Sequence, residues 1–224
     1  MKLIAHRGWS QGPGENTLAA FARAAGDPRV TGVEFDVRRD AASGALLVTH
    51  DSPLRGASTL TLDAALAFLA QTDLELFIET KQPGIAETVI AALTTTGVAE
   101  RSVVFAFADV AQSFPWAGRR PVRLGAILLY PWTMHRFIAA HDPDAILLGW
   151  DERRWTRAAF RAWWSAFSLA RLSRRYGKPV VAGIVRRPDD LDWLEAQHVY
   201  AAVADMNVIA EVNAWANKEF RPHG

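Results

Sequence analysis

The sequence predicts a single α/β domain over residues 1–224, a (β/α)8 TIM barrel with a β-hairpin arm after the second strand. Three observations carry this expectation. Short apolar strands alternate with helix-period segments, and eight of them can run parallel, those near residues 3, 32, 74, 103, 124, 145, 180 and 200. One more apolar run, just before His50, follows its predecessor too closely for a parallel crossover and must return antiparallel. Charged residues gather at strand ends, as His6-Arg7, Glu34 with Asp36, and Glu79 with Lys81. In a barrel those ends converge on one face, where active sites of this fold sit. A doubly wound open sheet is the alternative, because periodicity does not separate the two.

Taken in order, residues 3–5 form a short strand ending in His6-Arg7-Gly8, and residues 11–15 a Gly/Pro loop. Asn16 or Thr17 caps a helix on which Leu18, Phe21 and Ala25 recur at helical spacing. The stretch GVEFDVRRDAASGALLVTHD, residues 32–51, then organises the chain. Glu34 and Asp36 lie two apart, so a strand puts both carboxylates on one side, with Val33, Phe35 and Val37 on the other. Adjacent carboxylates repel unless a cation sits between them, and all-oxygen ligands suit Mg2+ or Ca2+. A reversal near Ala42 and Ser43 returns residues 45–49 antiparallel and brings His50 level with Asp36, within one residue. An ordinary hairpin with solvated acids is the competing reading.

A helix opens at Thr61 or Asp63 and runs to about residue 70, and a strand over 74–78 leads into Glu79-Thr80-Lys81. A helix over 85–95 stops near Gly97. Strands follow at 103–107, 124–129, 145–149, 180–185 and 200–204, with helices at 132–140, 155–176 and 188–197 and a closing helix from about 209. The helix over 155–176 carries one apolar stripe through Trp155, Ala159, Ala162, Trp163, Ala166, Leu169 and Ala170, widened by Phe160, Trp164 and Phe167. Seven arginines surround it. A packed outer barrel helix is one reading, and a dimer face or a basic surface for anionic lipid is the other.

Composition narrows the function classes. A net charge of +1 gives no global electrostatic case for nucleic acid. The absence of cysteine excludes disulfides and thiol catalysis. No apolar run approaches the ~20 residues that span a bilayer. MKLIAHRG offers three apolar residues before a charged pair, too few for a signal peptide, so the chain is expected to start in its first strand, in the cytoplasm. Monomer and homodimer are both open.

Five motifs occur in order: H-R-G at 6–8, G-E-N-T at 14–17, E-F-D-V at 34–37, V-T-H-D at 48–51 and I-E-T-K at 78–81. Together they resemble the glycerophosphodiester phosphodiesterase family, densely over residues 3–81. The resemblance implies a metal-dependent (β/α)8 barrel that hydrolyses glycerophosphodiesters to sn-glycerol 3-phosphate and an alcohol. It implies Glu34, Asp36 and Glu79 as ligands of one divalent metal ion, Mg2+ or Ca2+, and His6 and His50 as general acid and base. Arg7 and Lys81 are expected to hold the phosphate of a small-molecule phosphodiester, and Glu15 and Asn16 to orient site residues, with helix capping the other role for Asn16. A lysophospholipase D-like activity and a non-catalytic phosphodiester-binding barrel are the alternatives. Gly14 stands where the family usually has proline, and the link from Asp51 to Glu79 is short, which implies an open pocket. AGIVRR at 182–187 and ADMN at 204–207 replace the family's late tryptophan strand end and T-D-x-P. His135, His141, His198 and His223 fall on helices or the tail and are expected to be structural.

Overall fold

A computed structural model of the chain describes residues 1–9, 14–52, 59–151, 153–205 and 208. The closing helix expected from 209, His223 and most of the 11–15 loop lie outside the described residues. The strands are β1 (Lys2–Ala5), β2 (Gly32–Arg39), β3 (Leu46–Val48), β4 (Glu75–Thr80), β5 (Ser102–Phe107), β6 (Arg123–Ile127), β7 (Ala145–Leu148), β8 (Val180–Val185) and β9 (Ala201–Ala204). The helices are α1 (Leu18–Gly26), α2 (Leu62–Leu69), α3 (Ala86–Thr95), α4 (Ala108–Ala111), α5 (Pro131–His141), α6 (Arg154–Phe167), α7 (Leu169–Tyr176) and α8 (Pro188–Ala196).

Eight strands are parallel and close into a ring, β1-β2-β4-β5-β6-β7-β8-β9, with β9 back against β1. Closure settles the choice against an open sheet. β3 lies outside the ring as the antiparallel arm on β2, with Val37 opposite Val48 and Arg39 opposite Leu46. The turn is built as its residues dictate: the Asp40 carboxylate accepts from the Ser43 N–H and hydroxyl, and Gly44 takes φ +75.

The apolar residues form two layers. Ile4, Phe77, Val103, Phe105, Ala145, Leu147, Val181, Ala201 and Val203 fill the barrel interior. The opposite strand faces, including Val33, Phe35 and Val37, pack under the helices. Helix starts follow side-chain chemistry: the Thr17 hydroxyl accepts from Ala20 N–H at 3.1 Å and Thr61 from Ala64 N–H at 3.2 Å, each cap stabilising by about 1 kcal/mol. The buried face of α1 is Ala20, Phe21 and Ala24, so Leu18 points outward, against the expected grouping.

The long helix expected over 155–176 is two helices. Ser168, at φ +63, ends α6 and its hydroxyl caps α7 by accepting from Arg171 N–H, while Leu169 N–H donates to Gln197 Oε1 at 3.1 Å. The break rotates the face presented to the barrel. In α7, Leu169, Ala170 and Leu172 are buried, whereas in α6 Trp164 is buried and Phe160 packs against Trp150, Trp164 and Trp193. The predicted stripe therefore divides at Ser168, and Trp155, Trp163 and Phe167 stay exposed.

Candidate active site

The C-terminal mouth of the barrel holds a cavity of about 300 Å3. Glu34 and Asp36 enter it from β2 and Glu79 from β4, where ladder pairing sets Asp36 opposite Glu79. β4 runs on to Thr80, two residues past the expected strand, so Glu79 stands on sheet rather than on a strand-end loop. All three acids are buried, and one oxygen from each lies within 4.8 Å of the others.

Burial raises the Glu34 carboxyl well above its ordinary range, and the charges of Asp36 and Glu79 add to this. Burial also raises Glu79, against the pull of Lys81. Asp36 goes the other way: burial would raise it, but Lys81, Arg7 and the Asn16 amide hold it down. Lys81 Nζ lies 2.9 Å from Asp36 Oδ1 and 2.6 Å from Glu79 Oε1, and these acids keep its ammonium charged despite burial. Glu34 is thus the least compensated of the three. Its Oε2 accepts the Arg7 backbone N–H at 3.0 Å.

The first βα connection supplies the frame. Arg7 Nη1 donates to Glu15 Oε1 at 2.6 Å, and Arg7 Nε lies 3.2 Å from Asp36. Arg7 is therefore engaged by two acids. Asn16, at φ +55 and buried, donates from Nδ2 to Asp36 Oδ2 at 3.0 Å, which leaves the α1 cap to Thr17. Gly8, at φ +84, has no room for a Cβ, which would stand 2.7 Å from the Phe21 ring. That contact keeps α1 close behind His6.

His6 and His50 face the same cavity. His6 is buried, with Nδ1 2.6 Å from Asp205 Oδ1 and Nε2 3.8 Å from Glu34 Oε2. Thr49 N–H donates to Asp36 C=O, so the arm returns with His50 one residue past level, within the expected margin. His50 Nδ1 lies 2.9 Å from Asp51 Oδ1, and Arg38 Nε fixes its carbonyl at 2.6 Å. Every residue expected at the site is in the cavity or touches one that is. The sequence reading missed Asp205, whose place was treated only as a departure from T-D-x-P. It also missed the opposite wall, where Phe105, Phe107, Ile127, Leu129 and Leu147 make half of the mouth apolar. The signal available for that wall was that β5 and β6 end in Phe107 and in Ile127-Leu128-Leu129, apolar where β1, β2 and β4 end in charges.

No family sequence model matches the chain, and no curated protein matches it. Solved structures do. A glycerophosphodiester phosphodiesterase from Parabacteroides distasonis aligns with a TM-score of 0.72 and 16% identity over 96% of this chain and 98% of its own. One from Agrobacterium tumefaciens gives 0.71 and 20% over 91% and 96%. A phosphodiesterase from Oleispira antarctica, in complex with the product sn-glycerol-3-phosphate, gives 0.67 and 18% over 95% and 97%. The chain has the barrel fold of these proteins over nearly its whole length.

Proposed function

We propose that this chain hydrolyses diesters of glycerol 3-phosphate, releasing sn-glycerol 3-phosphate and an alcohol. The observation that carries the reading is one cavity holding two histidines around a buried acidic triad with Lys81 and Arg7. The fold shared with phosphodiesterases, one of them bound to sn-glycerol-3-phosphate, supports it. A binder of phosphodiesters would need cationic groups, but no acid/base pair.

Glu34, Asp36 and Glu79 fit one hard divalent cation: three carboxylates are crowded in a buried site with charge that Lys81 and Arg7 offset only in part. When bound, such an ion supplies charge neutralisation to the phosphate oxygens. The protein's own groups do the rest. Asp205 accepts the Nδ1 proton of His6, which orients the ring and leaves Nε2 toward the cavity. His50 is held by Asp51 in the same manner, at a more exposed position. One imidazole takes the proton of the attacking oxygen and the other gives a proton to the departing alkoxide, so the P–O bond to the alcohol breaks without free charge on either oxygen. Lys81 and Arg7 place fixed positive charge beside the phosphate.

The test is release of glycerol 3-phosphate from glycerophosphocholine with Mg2+, with Ca2+ and with EDTA. Release is expected with metal and is expected to fall at least about 100-fold in His6→Ala and His50→Ala. Near-normal turnover in both folded variants removes the assignment.

A further inference from the structure

The catalytic cavity does not stop at the barrel mouth. A second groove of about 310 Å3 opens beside it, and the two share Leu129, Gly149, Trp150 and Asp151. The groove runs between the segment after β6 and helix α6. Its walls are Tyr130, Trp132, Trp155, Ala159 and Trp163, with Phe160 and Trp164 at its base. Trp132 is 69% and Trp155 65% exposed, although each is large and apolar. Tyr130 and Trp132 stack with ring centroids 5.1 Å apart, which presents a broad flat wall.

The charges of the mouth are equally one-sided. Glu34, Asp36, Glu79, Lys81, Arg7 and both histidines come from the β1–β4 half, while Phe105, Phe107, Ile127, Leu129 and Leu147 line the half that leads to the groove. Among the described residues, the groove gives a phosphodiester seated on the charged half an exit for its far substituent across apolar side chains. An uncharged polar alcohol gains little along that path, whereas a hydrocarbon chain buries area at every step. Asp151, which borders both the cavity and the groove, accepts through Oδ1 from the Thr156 hydroxyl at 2.6 Å and the Arg153 N–H at 2.9 Å.

From this continuity we infer that the groove is a subsite for the hydrocarbon chain of a single-chain amphiphilic phosphodiester. The inference rests on phosphodiester hydrolysis in the adjoining cavity. It adds the substrate class: the phosphate head is cleaved at the acidic half while the tail lies against Trp132, Trp155 and Ala159. The chain can be attached to either side of the phosphate, and both attachments present the same chemistry to the groove.

The test uses two substrate series below their aggregation concentrations. In one, glycerol 3-phosphate is esterified to butanol, hexanol or octanol. In the other, glycerophosphocholine carries a butyryl, hexanoyl or octanoyl chain on its glycerol. For the series that uses the groove, kcat/KM is expected to rise about twofold per methylene, since a half-open groove buries part of each one. The slope should vanish in the Trp132→Ala, Trp155→Ala double variant and in Ala159→Trp, which fills the groove. Turnover of chainless glycerophosphocholine should be unchanged in all of them. Flat responses in both series overturn the inference and leave phosphodiesterase activity standing. So does a loss of glycerophosphocholine turnover in the double variant, which would make the groove a headgroup cage. Activity that rises only on phosphatidylglycerol vesicles, with flat monomeric series, also overturns it in favour of a bilayer-facing surface. If no diester is cleaved at all, calorimetric titration with butyl and octyl phosphate decides separately. Tighter binding of octyl phosphate, lost in Ala159→Trp, keeps the subsite, and equal binding removes it.

Discussion

Replacing Glu34 by Gln tests the electrostatic account of the acidic triad without disturbing its shape. At separations up to 4.8 Å, each pair of ionised carboxylates costs about 3 kcal/mol at an effective dielectric of about 20. Lys81 offsets this for Asp36 and Glu79, which it touches at 2.9 and 2.6 Å, but less for Glu34. Gln keeps an oxygen to accept the Arg7 N–H and removes the charge. The folded-state pKa of Glu34 lies above its unfolded value of about 4.5. The metal-free protein therefore holds that proton where the unfolded chain has lost it, and stability falls as pH rises through this window. Wild type and Glu34→Gln should melt alike near pH ~4.5 in EDTA and diverge as pH rises, with the variant more stable by about 1–3 kcal/mol. For a chain of this size that is roughly 3–9 °C in Tm. Added Mg2+ or Ca2+ at about 100 times its Kd should stabilise wild type by about 2.7 kcal/mol at neutral pH. That metal shift should shrink in acid as the ligands protonate, and it should be lost in the variant. Differential scanning fluorimetry from acid to mildly alkaline pH, in EDTA and in each metal, reads all of this. A wild type that outlasts the variant at high pH in EDTA would refute the reasoning, as would a variant that keeps the metal shift.

Three further substitutions probe separate parts of the design. Asp205→Asn removes a charge-assisted contact of 2.6 Å to His6, so kcat should fall about 10- to 100-fold with KM nearly unchanged; steady-state kinetics showing a loss under twofold would deny Asp205 its positioning role. Lys81→Met strands two buried acids, and urea melts in EDTA should show a loss of about 3 kcal/mol or more. Gly149→Ala would set a Cβ 1.8 Å from the Gly183 carbonyl oxygen, so β7 and β8 must separate beside the cavity at a cost of about 1–3 kcal/mol; an unshifted melting temperature would contradict that clash.

What could be read from the sequence follows from how local each signal is. The Glu34/Asp36 pair and the return of His50 depend on strand alternation and one turn, so the acidic half was legible within residues 32–51. Glu79 and Lys81 needed the parallel pairing of β4 with β2 as well, which sets Asp36 opposite Glu79. Asp205 was not legible as a partner of His6, since nothing local in the last strand announces a contact made across the ring seam. The α6–α7 break was hidden because serine is an ordinary helix residue until its φ turns positive. Apolar periodicity also cannot tell a packed stripe from an exposed one, and in α6 Trp155 and Trp163 kept the period but faced outward.

The contact between His6 and Asp205 joins positions 199 residues apart in the chain. It has a consequence for biosynthesis. A ribosome delivers His6 with the first barrel strand, but its partner only after every other barrel strand has been made, and β9 must then dock against β1 to bring the two together. A chain truncated before residue 205 lacks the carboxylate that orients His6. On the proposed function, full turnover therefore requires that translation has passed residue 205 and that β9 has docked on β1.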